Sequence, residues 1–284
     1  MTTNPNHDDW WPAPAKLNLM LRVVGRRPDG YHLLQTVFRF VDFADQIGFR
    51  VRGDGLIRRI SGNDAVAESE DLMIRAARLL QRESGASLGV DISLVKNIPM
   101  GGGLGGGSSD AATVLVALNR LWDLDYSMDR LAELGLGLGA DVPVFVRGQA
   151  AWAEGIGEAL TPIDLPAAWY LVLMPPCHVS TADVFNDPEL TRNAPRTTIR
   201  DFLAGGQEND CLPVVTSHYP DVAEAIRWLG KTAVARLTGT GGAVFAEFRH
   251  EAEARQLLQQ VPEKFTAFVA KGLDQSPLLA RIGL

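Results

Sequence analysis

One segment decides how this chain is interpreted: Pro99-Met100-Gly101-Gly102-Gly103-Leu104-Gly105-Gly106-Gly107-Ser108-Ser109. Its six glycines lack the Cβ atoms that would keep a phosphate away from the backbone, and they permit positive φ angles at which successive N–H groups converge on an anion. A strand pattern precedes the segment and an amphipathic helix pattern follows it, so the helix N-terminus adds unpaired N–H groups and a positive dipole end. We therefore predict a phosphate-binding loop, in which Ser108 or Ser109 caps the helix, offers a hydroxyl to a phosphate or helps to hold Mg²⁺.

Two better-known phosphate-binding motifs do not explain this loop. Gly101, Gly103 and Gly106 satisfy G-x-G-x-x-G, but a run this rich in glycine matches by chance, and the early strands do not alternate with helices as a Rossmann unit requires. The Walker pattern fails because no Lys-Ser or Lys-Thr pair follows the last glycine. A flexible linker is disfavoured because a linker has no need to join a strand to an amphipathic helix.

The composition excludes several classes of function. At 284 residues, 46% of them hydrophobic, the chain can bury a sizeable core, and its net charge of −7 argues against nucleic-acid binding. Cys177 and Cys211 are too few and too far apart for a disulfide framework or a zinc site. No apolar run reaches the ~18 residues of a membrane span, and residues 1–11 lack the pattern of a signal peptide. We therefore expect a cytoplasmic protein with no membrane or nucleic-acid partner, and both a monomer and a homodimer remain open.

Strand and helix patterns are mixed along the chain without strict alternation, which favours an α+β fold over a doubly wound sheet. Residues 17–23 alternate as a half-buried strand does, with Lys16 and Asn18 on the polar face. A buried strand at 169–174 follows Pro162 and Pro166, which indicates a domain boundary near 160–168. The other predicted strands are 36–40, 46–52, 90–96, 234–237, 243–248 and 265–270, and the other predicted helices are 71–83, 111–122, 128–136, 221–229 and 251–261.

Three segments, in this order along the chain, resemble the motifs of the galactokinase, homoserine kinase, mevalonate kinase and phosphomevalonate kinase superfamily. They are Pro14-Ala15-Lys16-Leu17-Asn18-Leu19, the glycine loop with Asp110-Ala111-Ala112 after it, and Leu237-Thr238-Gly239-Thr240-Gly241-Gly242-Ala243-Val244-Phe245. The resemblance implies a two-domain α+β small-molecule kinase with its active site in the interdomain cleft. It further implies an ATP-binding domain over 1–163, a substrate-binding domain over 164–284, and ATP and Mg²⁺ as cofactors, with the metal ligands unassigned.

Further segments narrow the resemblance to one family of that superfamily, the 4-diphosphocytidyl-2-C-methyl-D-erythritol kinases. They are Arg27-Pro28-Asp29-Gly30-Tyr31-His32, Gly139-Ala140-Asp141-Val142-Pro143-Val144-Phe145 and Ser180-Thr181-Ala182-Asp183-Val184-Phe185. The resemblance implies a small-molecule cytidyl diphosphate substrate, phosphorylated by ATP on its 2-hydroxyl in the non-mevalonate route to isoprenoid precursors. One position departs from the family, which commonly carries Asn-Leu near the adenine where this chain has Asp71-Leu72.

Asp141 and Lys16 are the candidate catalytic residues. From the sequence alone Asp141 fits a helix N-cap with a proline soon after it as well as it fits a general base, and Lys16 fits a solvated strand lysine. The resemblance favours the base and implies that Lys16 approaches it. An ammonium at hydrogen-bonding range would favour the carboxylate form of the aspartate and help to orient the acceptor hydroxyl.

The candidate substrate-binding residues are Asn18, Tyr31, His32, Thr181 and Phe185. Aromatic rings offer flat apolar faces on which a pyrimidine stacks, and an imidazole can read the polar edge of the base. Taken singly, Tyr31 and Phe185 also fit core packing, and His32 fits a hydrogen-bonded turn.

Two other functions compete with this interpretation. A homoserine- or mevalonate-type kinase of the same superfamily would have no base to stack on Tyr31, so the Asp-Gly-Tyr-His motif argues against it. A non-catalytic nucleotide-binding regulator would have no need to keep both Lys16 and Asp141.

Overall fold

The computed structural model describes residues 10–62 and 66–283. Within these ranges the chain forms ten β-strands and ten α-helices. The strands are β1 (Trp10–Arg26), β2 (His32–Arg52), β3 (Ile57–Ser61), β4 (Gly89–Val95), β5 (Ala151–Glu154), β6 (Ala159–Pro162), β7 (Trp169–Met174), β8 (Arg236–Leu237), β9 (Val244–Phe248) and β10 (Thr266–Leu273). The helices are α1 (Leu72–Ser84), α2 (Gly106–Leu121), α3 (Met128–Leu136), α4 (Val142–Arg147), α5 (Thr181–Asn186), α6 (Ile199–Leu203), α7 (Leu212–His218), α8 (Pro220–Leu229), α9 (Glu251–Leu258) and α10 (Pro277–Arg281).

The strands form one sheet with the order β3-β4-β2-β10-β7-β9-β8, and β1 and β5 also pair with β2. The pairings are antiparallel except for β3 with β4, which are parallel and are joined through α1. A doubly wound fold would instead have a mostly parallel sheet. The α+β prediction is therefore confirmed.

Apolar faces of helices cover the sheet at both ends. Helices α1 to α4 bury their apolar residues against β1, β2 and β4, where Leu115 of α2 lies in one cluster with Ile47 and Ile92. Helices α7, α8 and α9 do the same against β7 and β9, where Val222 lies with Leu171. Full burial of such a side chain contributes about 1.5–3 kcal/mol, so these two clusters hold the helices in place.

The hairpin of β1 and β2 differs from the prediction in two ways. The strands predicted at 36–40 and 46–52 are parts of the single strand β2, and β1 is buried on both faces rather than half-buried, with Lys16 and Asn18 each only 3% exposed. The register of β1 shifts between Pro14 and Lys16 and again between Asn18 and Met20. Such bulges re-aim side chains, and here they flank the segment that carries the two buried polar residues.

Most predicted helices and strands are present within a few residues, and three boundaries are corrected. The strand predicted at 234–237 is reduced to Arg236–Leu237. The helix predicted at 251–261 ends at Leu258. Helix α2 begins at Gly106, with Gly105 at the N-cap in a left-handed conformation and no side-chain cap, so Ser108 and Ser109 lie inside its first turn. Of the three roles considered for Ser108 or Ser109, the helix cap is wrong, because Gly105 at φ 74° already occupies the N-cap position.

The last strand connects the two halves of the chain. β10 lies between β2 and β7 in the sheet, and α10 places Leu278 in the core formed by α1 to α4. The division into domains at 163/164 stays a prediction. The first nine residues of the predicted N-terminal domain lie outside the described part. Within that part, no helix is both long enough and apolar enough to cross a membrane.

Candidate active site

The glycine loop is held from two sides by backbone hydrogen bonds. The N–H of Lys16 in β1 donates to the carbonyl of Leu104 at 3.0 Å, and the N–H of Ala243 donates to the carbonyl of Gly102 at 3.1 Å. The first and third of the three motifs that resemble those of the superfamily therefore hold the second, the glycine loop, in position. Residues far apart in the sequence meet here because β1 and the segment just before β9 both contact the loop.

The glycines of the loop serve two different purposes. A Cβ atom on Gly103, whose φ is +76°, would lie 2.4 Å from the carbonyl oxygen of Thr238, and one on Gly241 would lie 2.2 Å from the nitrogen of Gly103. These glycines allow the loop and the Thr-Gly-Thr-Gly-Gly turn to touch. At Gly107, in contrast, the nearest atom that an added Cβ would meet is on Leu72 at 3.5 Å, an ordinary contact distance, so the first turn of α2 is not crowded here. The N–H groups ahead of Ser109, whose own N–H donates to the Gly105 carbonyl at 2.9 Å, have no partner within the helix and can bind an anion.

Asp141 lies at the N-cap position of α4 but does not cap the helix. Its carboxylate makes no capping hydrogen bond. Instead, its Oδ2 lies 3.2 Å from Nζ of Lys16, and the Asp141 side chain is 34% exposed whereas that of Lys16 is 4% exposed. The buried ammonium thus approaches the carboxylate from one side and leaves it open to the cleft.

A chain of hydrogen bonds fixes Lys16. Its Nζ donates to Oδ1 of Asn18 at 2.5 Å, the Asn18 amide donates to the Thr36 hydroxyl at 2.9 Å, and that hydroxyl donates to the Met20 carbonyl at 2.5 Å. The backbone N–H of Asn18 donates to the Thr238 hydroxyl at 2.9 Å. Asn18 lines the cleft, and both ends of its side-chain amide already have partners in the protein; its predicted contact with substrate stays a prediction.

The cleft around these residues has a volume of about 340 Å³ and contains Lys16, Asp141, Gly103, Ser108 and Thr240 among its lining residues. We call it the transfer cleft. The carboxylate, the ammonium and the start of α2 therefore line one space. The sequence analysis did not predict Thr238 or Thr240 as site residues. The glycine-rich turn that carries them could have indicated that they lie at the site.

A second cavity of about 420 Å³ adjoins the transfer cleft. Its lining includes Tyr31, His32, Thr181 and Phe185, and it shares Leu34, Ala140, Ile156, Thr181 and Phe185 with the cleft, so that the two are continuous. We call it the aromatic cavity. Four of the five predicted substrate-binding residues therefore line the same cavity. Thr181 joins the two spaces, since its hydroxyl lies 2.7 Å from that of Thr240.

The three aromatic side chains of this cavity differ in burial. His32 is 8% exposed and stacks on Phe185 with ring centroids 4.9 Å apart and an angle of 18° between the rings, whereas Tyr31 is 59% exposed at the mouth. Burial lowers the pKa of His32, and the positive charges of Arg192 and Arg26 lower it further. These effects favour the neutral form of the imidazole. Sequence reasoning missed Arg192, which stands outside every recognisable motif.

A third cavity, of about 230 Å³, lies on the other side of the glycine loop and is lined by Asp71, Leu72, Met100 and Gly107 among others. The Asp71 carboxylate accepts a hydrogen bond from the Met73 N–H at 2.8 Å and pairs with Arg59 at 2.9 Å. Asp71 therefore caps α1 and neutralises an arginine at the position where the family commonly has asparagine.

A buried ionic cluster lies beside the glycine loop, between the end of β4 and the first turns of α2. Lys96 bridges Asp45 at 2.5 Å and Asp110 at 2.9 Å. Burial raises the pKa of Asp110, the Lys96 ammonium lowers it and the nearby Asp45 carboxylate raises it, and together they bring it to about 7. The Asp110 Oδ1 atom is buried and has no hydrogen-bond partner among the described residues.

Comparison with known proteins identifies the fold and the family. Residues 71–149 match the family described as GHMP kinases N terminal domain, and residues 192–267 match GHMP kinases C terminal. A crystal structure of mevalonate kinase, 15% identical, superposes with a TM-score of 0.70 and covers 94% of this chain and 99% of its own. The two-domain kinase fold is thus confirmed.

Two relatives are more similar. A crystal structure of 4-(cytidine 5'-diphospho)-2C-methyl-D-erythritol kinase is 34% identical, superposes with a TM-score of 0.79 and covers 93% of this chain and 98% of its own. The 4-diphosphocytidyl-2-C-methyl-D-erythritol kinase of Alkalilimnicola ehrlichii is 57% identical over 272 residues, which are 96% of this chain and 94% of that protein. With this identity along nearly its whole length, the chain belongs to the 4-diphosphocytidyl-2-C-methyl-D-erythritol kinase family of the GHMP kinases.

Proposed function

We propose that this chain transfers the γ-phosphoryl group of ATP to the 2-hydroxyl of 4-diphosphocytidyl-2-C-methyl-D-erythritol, in the non-mevalonate route to isoprenoid precursors. As a member of a kinase family it is an ATP-dependent phosphotransferase. The observation that carries the proposal is the position of the Lys16–Asp141 pair, 3.2 Å apart, in a cleft that is continuous with an aromatic cavity. An acceptor with a base at one end and a hydroxyl at the other fits this arrangement.

In this mechanism Asp141 accepts the proton of the 2-hydroxyl as that oxygen attacks the γ-phosphorus. Lys16 holds the carboxylate in place and adds positive charge near the transferred group. Asn18, whose amide oxygen accepts from Lys16 and whose nitrogen donates to Thr36, acts as a positioning residue for the lysine. Phosphoryl transfer demands alignment and charge neutralisation rather than covalent help, which this rigid arrangement can supply.

The glycine loop is proposed to bind the phosphates of ATP through the free N–H groups at the start of α2 and the positive end of its dipole. Ser108 lines the transfer cleft in this first turn and offers its hydroxyl there. The adenine is proposed to occupy the cavity beside Asp71, Leu72 and Met100, which opens on the opposite side of Gly107.

The residues present also fit Mg²⁺. Among the described residues there is no group of three or more histidine, cysteine, aspartate or glutamate side chains arranged to hold a metal. Magnesium in kinases is commonly held by substrate phosphates and only one or two protein groups, and the Ser108 hydroxyl and the Asp141 carboxylate line one cleft. When bound, the ion would be held by these side chains together with the phosphates and would supply positive charge that offsets the negative charge of the phosphates.

The cytosine is proposed to lie in the aromatic cavity, with Tyr31 at its mouth and the stacked His32 and Phe185 rings in its wall. The diphosphate and the methylerythritol would then extend past Thr181 into the transfer cleft. Homoserine and mevalonate have no group that would occupy the aromatic cavity.

The test is a coupled assay of ADP release with the cytidyl compound, homoserine and mevalonate as acceptors. We expect turnover with the cytidyl compound alone. Phosphorylation of homoserine or mevalonate without the cytidyl compound would contradict the acceptor proposed here. ATP binding without turnover of any of the three would support the non-catalytic regulator instead.

A further inference from the structure

Arg192 forms hydrogen bonds with two residues of the aromatic cavity, His32 and Phe185. Its Nε–H donates to Nε2 of His32 at 3.2 Å. One terminal nitrogen of the same guanidinium donates to the carbonyl of Phe185 at 2.9 Å and to that of Asp187 at 2.7 Å. The other donates to the carbonyl of Leu190 at 3.1 Å. A single planar side chain therefore ties the end of α5 to the imidazole that stacks on it.

The hydrogen bond to Arg192 determines which nitrogen of His32 carries the proton. Arginine can only donate, since its guanidinium remains protonated in proteins. Nε2 of His32 must therefore be the unprotonated nitrogen, and in a neutral imidazole the proton then resides on Nδ1. Among the described residues, the hydrogen bond to the ring is the one from Arg192 to Nε2, and the ring lines the aromatic cavity. Nδ1–H is thus a donor available to a ligand.

We propose that Arg192 is a positioning residue for base selection, because by donating to Nε2 it makes His32 present an Nδ1–H donor to N3 of cytosine. The inference rests on the proposed function, in which a cytidyl group occupies this cavity. N3 of cytosine is an acceptor, whereas N3 of uracil carries a hydrogen. A donor on His32 therefore pairs with cytosine and opposes a hydrogen of uracil, and a buried donor left unpaired costs affinity.

The charges around the ring favour the same state. Arg192 and Arg26 both oppose protonation of His32, and burial lowers its pKa as well. Without Arg192, the ring would be free to carry its proton on Nε2, and Nδ1 would then be an acceptor that suits uracil. The arginine therefore acts through the histidine and not by touching the base.

The tautomer is measured first, in the free protein. Long-range ¹H–¹⁵N correlation on protein with ¹⁵N-labelled histidine distinguishes Nδ1–H from Nε2–H, and His32→Gln identifies the His32 signals among those of the five histidines. We expect Nδ1–H in the wild type and in Arg192→Lys, which retains a donor, and a shift towards Nε2–H in Arg192→Met. A wild-type ring that carries its proton on Nε2, or on both nitrogens at neutral pH, would overturn the inference whether or not any variant folds.

Base selection is measured next, by calorimetric affinities for CDP and UDP. We expect the preference for CDP to fall about tenfold in Arg192→Met, the effect of one buried donor left unpaired, and to be partly retained in Arg192→Lys. The matched control is Arg196→Met, which removes a mostly exposed arginine that pairs with Glu154 and not with His32; it should keep the wild-type preference.

The outcomes separate this inference from the proposed function. Equal losses of CDP and UDP affinity in Arg192→Met would show that Arg192 only holds the structure, and they would leave the proposed acceptor intact as long as the wild type turns over the cytidyl compound. A wild type that discriminates between CDP and UDP no better than Arg192→Met would likewise overturn base selection through His32. Failure to bind either nucleotide would overturn the proposed acceptor together with base selection, while the tautomer measurement would still decide the relation between Arg192 and His32.

Discussion

Nζ of Lys16 lies 3.2 Å from Oδ2 of Asp141, where the bulged strand β1 meets the N-terminus of α4. The lysine is buried and is held from behind by Asn18, so its ammonium has little freedom to move away from the carboxylate. Asp141 is the partly exposed member of the pair and faces the transfer cleft. The pair thus presents one face to the transfer cleft, and its other face is part of the protein core.

We expect Asp141→Asn to lower kcat by at least ~10², the low end for loss of a general base. The asparagine keeps the shape of the side chain but cannot accept the proton. Lys16→Ala should also lower kcat, and the double variant should lose less than the product of the single effects, because the two residues act as a unit.

Steady-state kinetics measure these losses, and circular dichroism and the melting temperature check the fold. The matched control is Asp129→Asn, which alters an exposed aspartate paired with Arg147 outside the transfer cleft. Normal turnover in Asp141→Asn together with a lowered melting temperature would mean that the residue has only a structural role.

Two glycines of the loop should respond differently to alanine. Gly103→Ala places a Cβ atom 2.4 Å from the Thr238 carbonyl and imposes a side chain on a positive φ, so we expect both stability and ATP affinity to fall. Gly107→Ala meets nothing closer than 3.5 Å and replaces a helical glycine, so its melting temperature should be unchanged or higher.

ATP affinity in Gly107→Ala then reports on the space above the first turn of α2. Calorimetry should show weaker ATP binding without loss of stability if phosphate approaches the backbone there. Unchanged ATP affinity in Gly107→Val, with its larger branched side chain, would move the phosphates away from this turn.

Truncation of the aromatic residues should weaken binding of the cytidyl substrate. Phe185→Ala and Tyr31→Ala should each remove about 1–3 kcal/mol of binding, the range for base stacking, and should raise KM for the cytidyl compound with little change in KM for ATP. Tyr31 is 59% exposed, so its truncation should leave the melting temperature unchanged, whereas Phe185→Ala also removes the ring on which His32 stacks.

Tyr31→Phe is the matched variant, since it keeps the ring and removes only the hydroxyl. It should retain nearly the wild-type KM if stacking is the interaction that matters. A KM for the cytidyl compound that stays constant in both alanine variants would place the base elsewhere.

The buried Asp110 should make stability depend on pH. Burial raises its pKa from 3.8 in the unfolded chain to about 7. Between these values the folded protein retains a proton that the unfolded chain has released, so this group contributes stability that is fully present below pH 3.8 and is lost as the pH rises through about 7. Asp110→Asn cannot release a proton, and its melting temperature relative to the wild type should therefore rise from pH 5 to pH 8.

Thermal denaturation of both proteins across this range measures the difference. Asp125→Asn, at an exposed position, should show a constant difference from the wild type over the same range. A difference for Asp110→Asn that stays constant or falls with pH would show that the carboxyl is already ionised at pH 5.

The sequence by itself determined the elements with strong local signals and, through its motifs, the family. Helix α1 is an example, because Asp71 caps one end and Gly85 ends the other in a left-handed conformation, both of which are local preferences. The glycine loop could likewise be predicted from the sequence, because six glycines between a strand and a helix are typical of an anion-binding loop. Lys16 and Asp141 could be selected because each stands in a motif.

The tertiary structure alone decided how those residues meet. The burial of both faces of β1 could not be inferred from its alternation, because it depends on helices and strands that pack on it from distant parts of the chain. The same holds for Arg192, whose hydrogen bond to His32 spans 160 positions of the sequence. The sequence left open whether Asp141 caps α4 or faces Lys16, and the fold decides it by bringing the two charged groups to 3.2 Å from positions 125 residues apart in the chain.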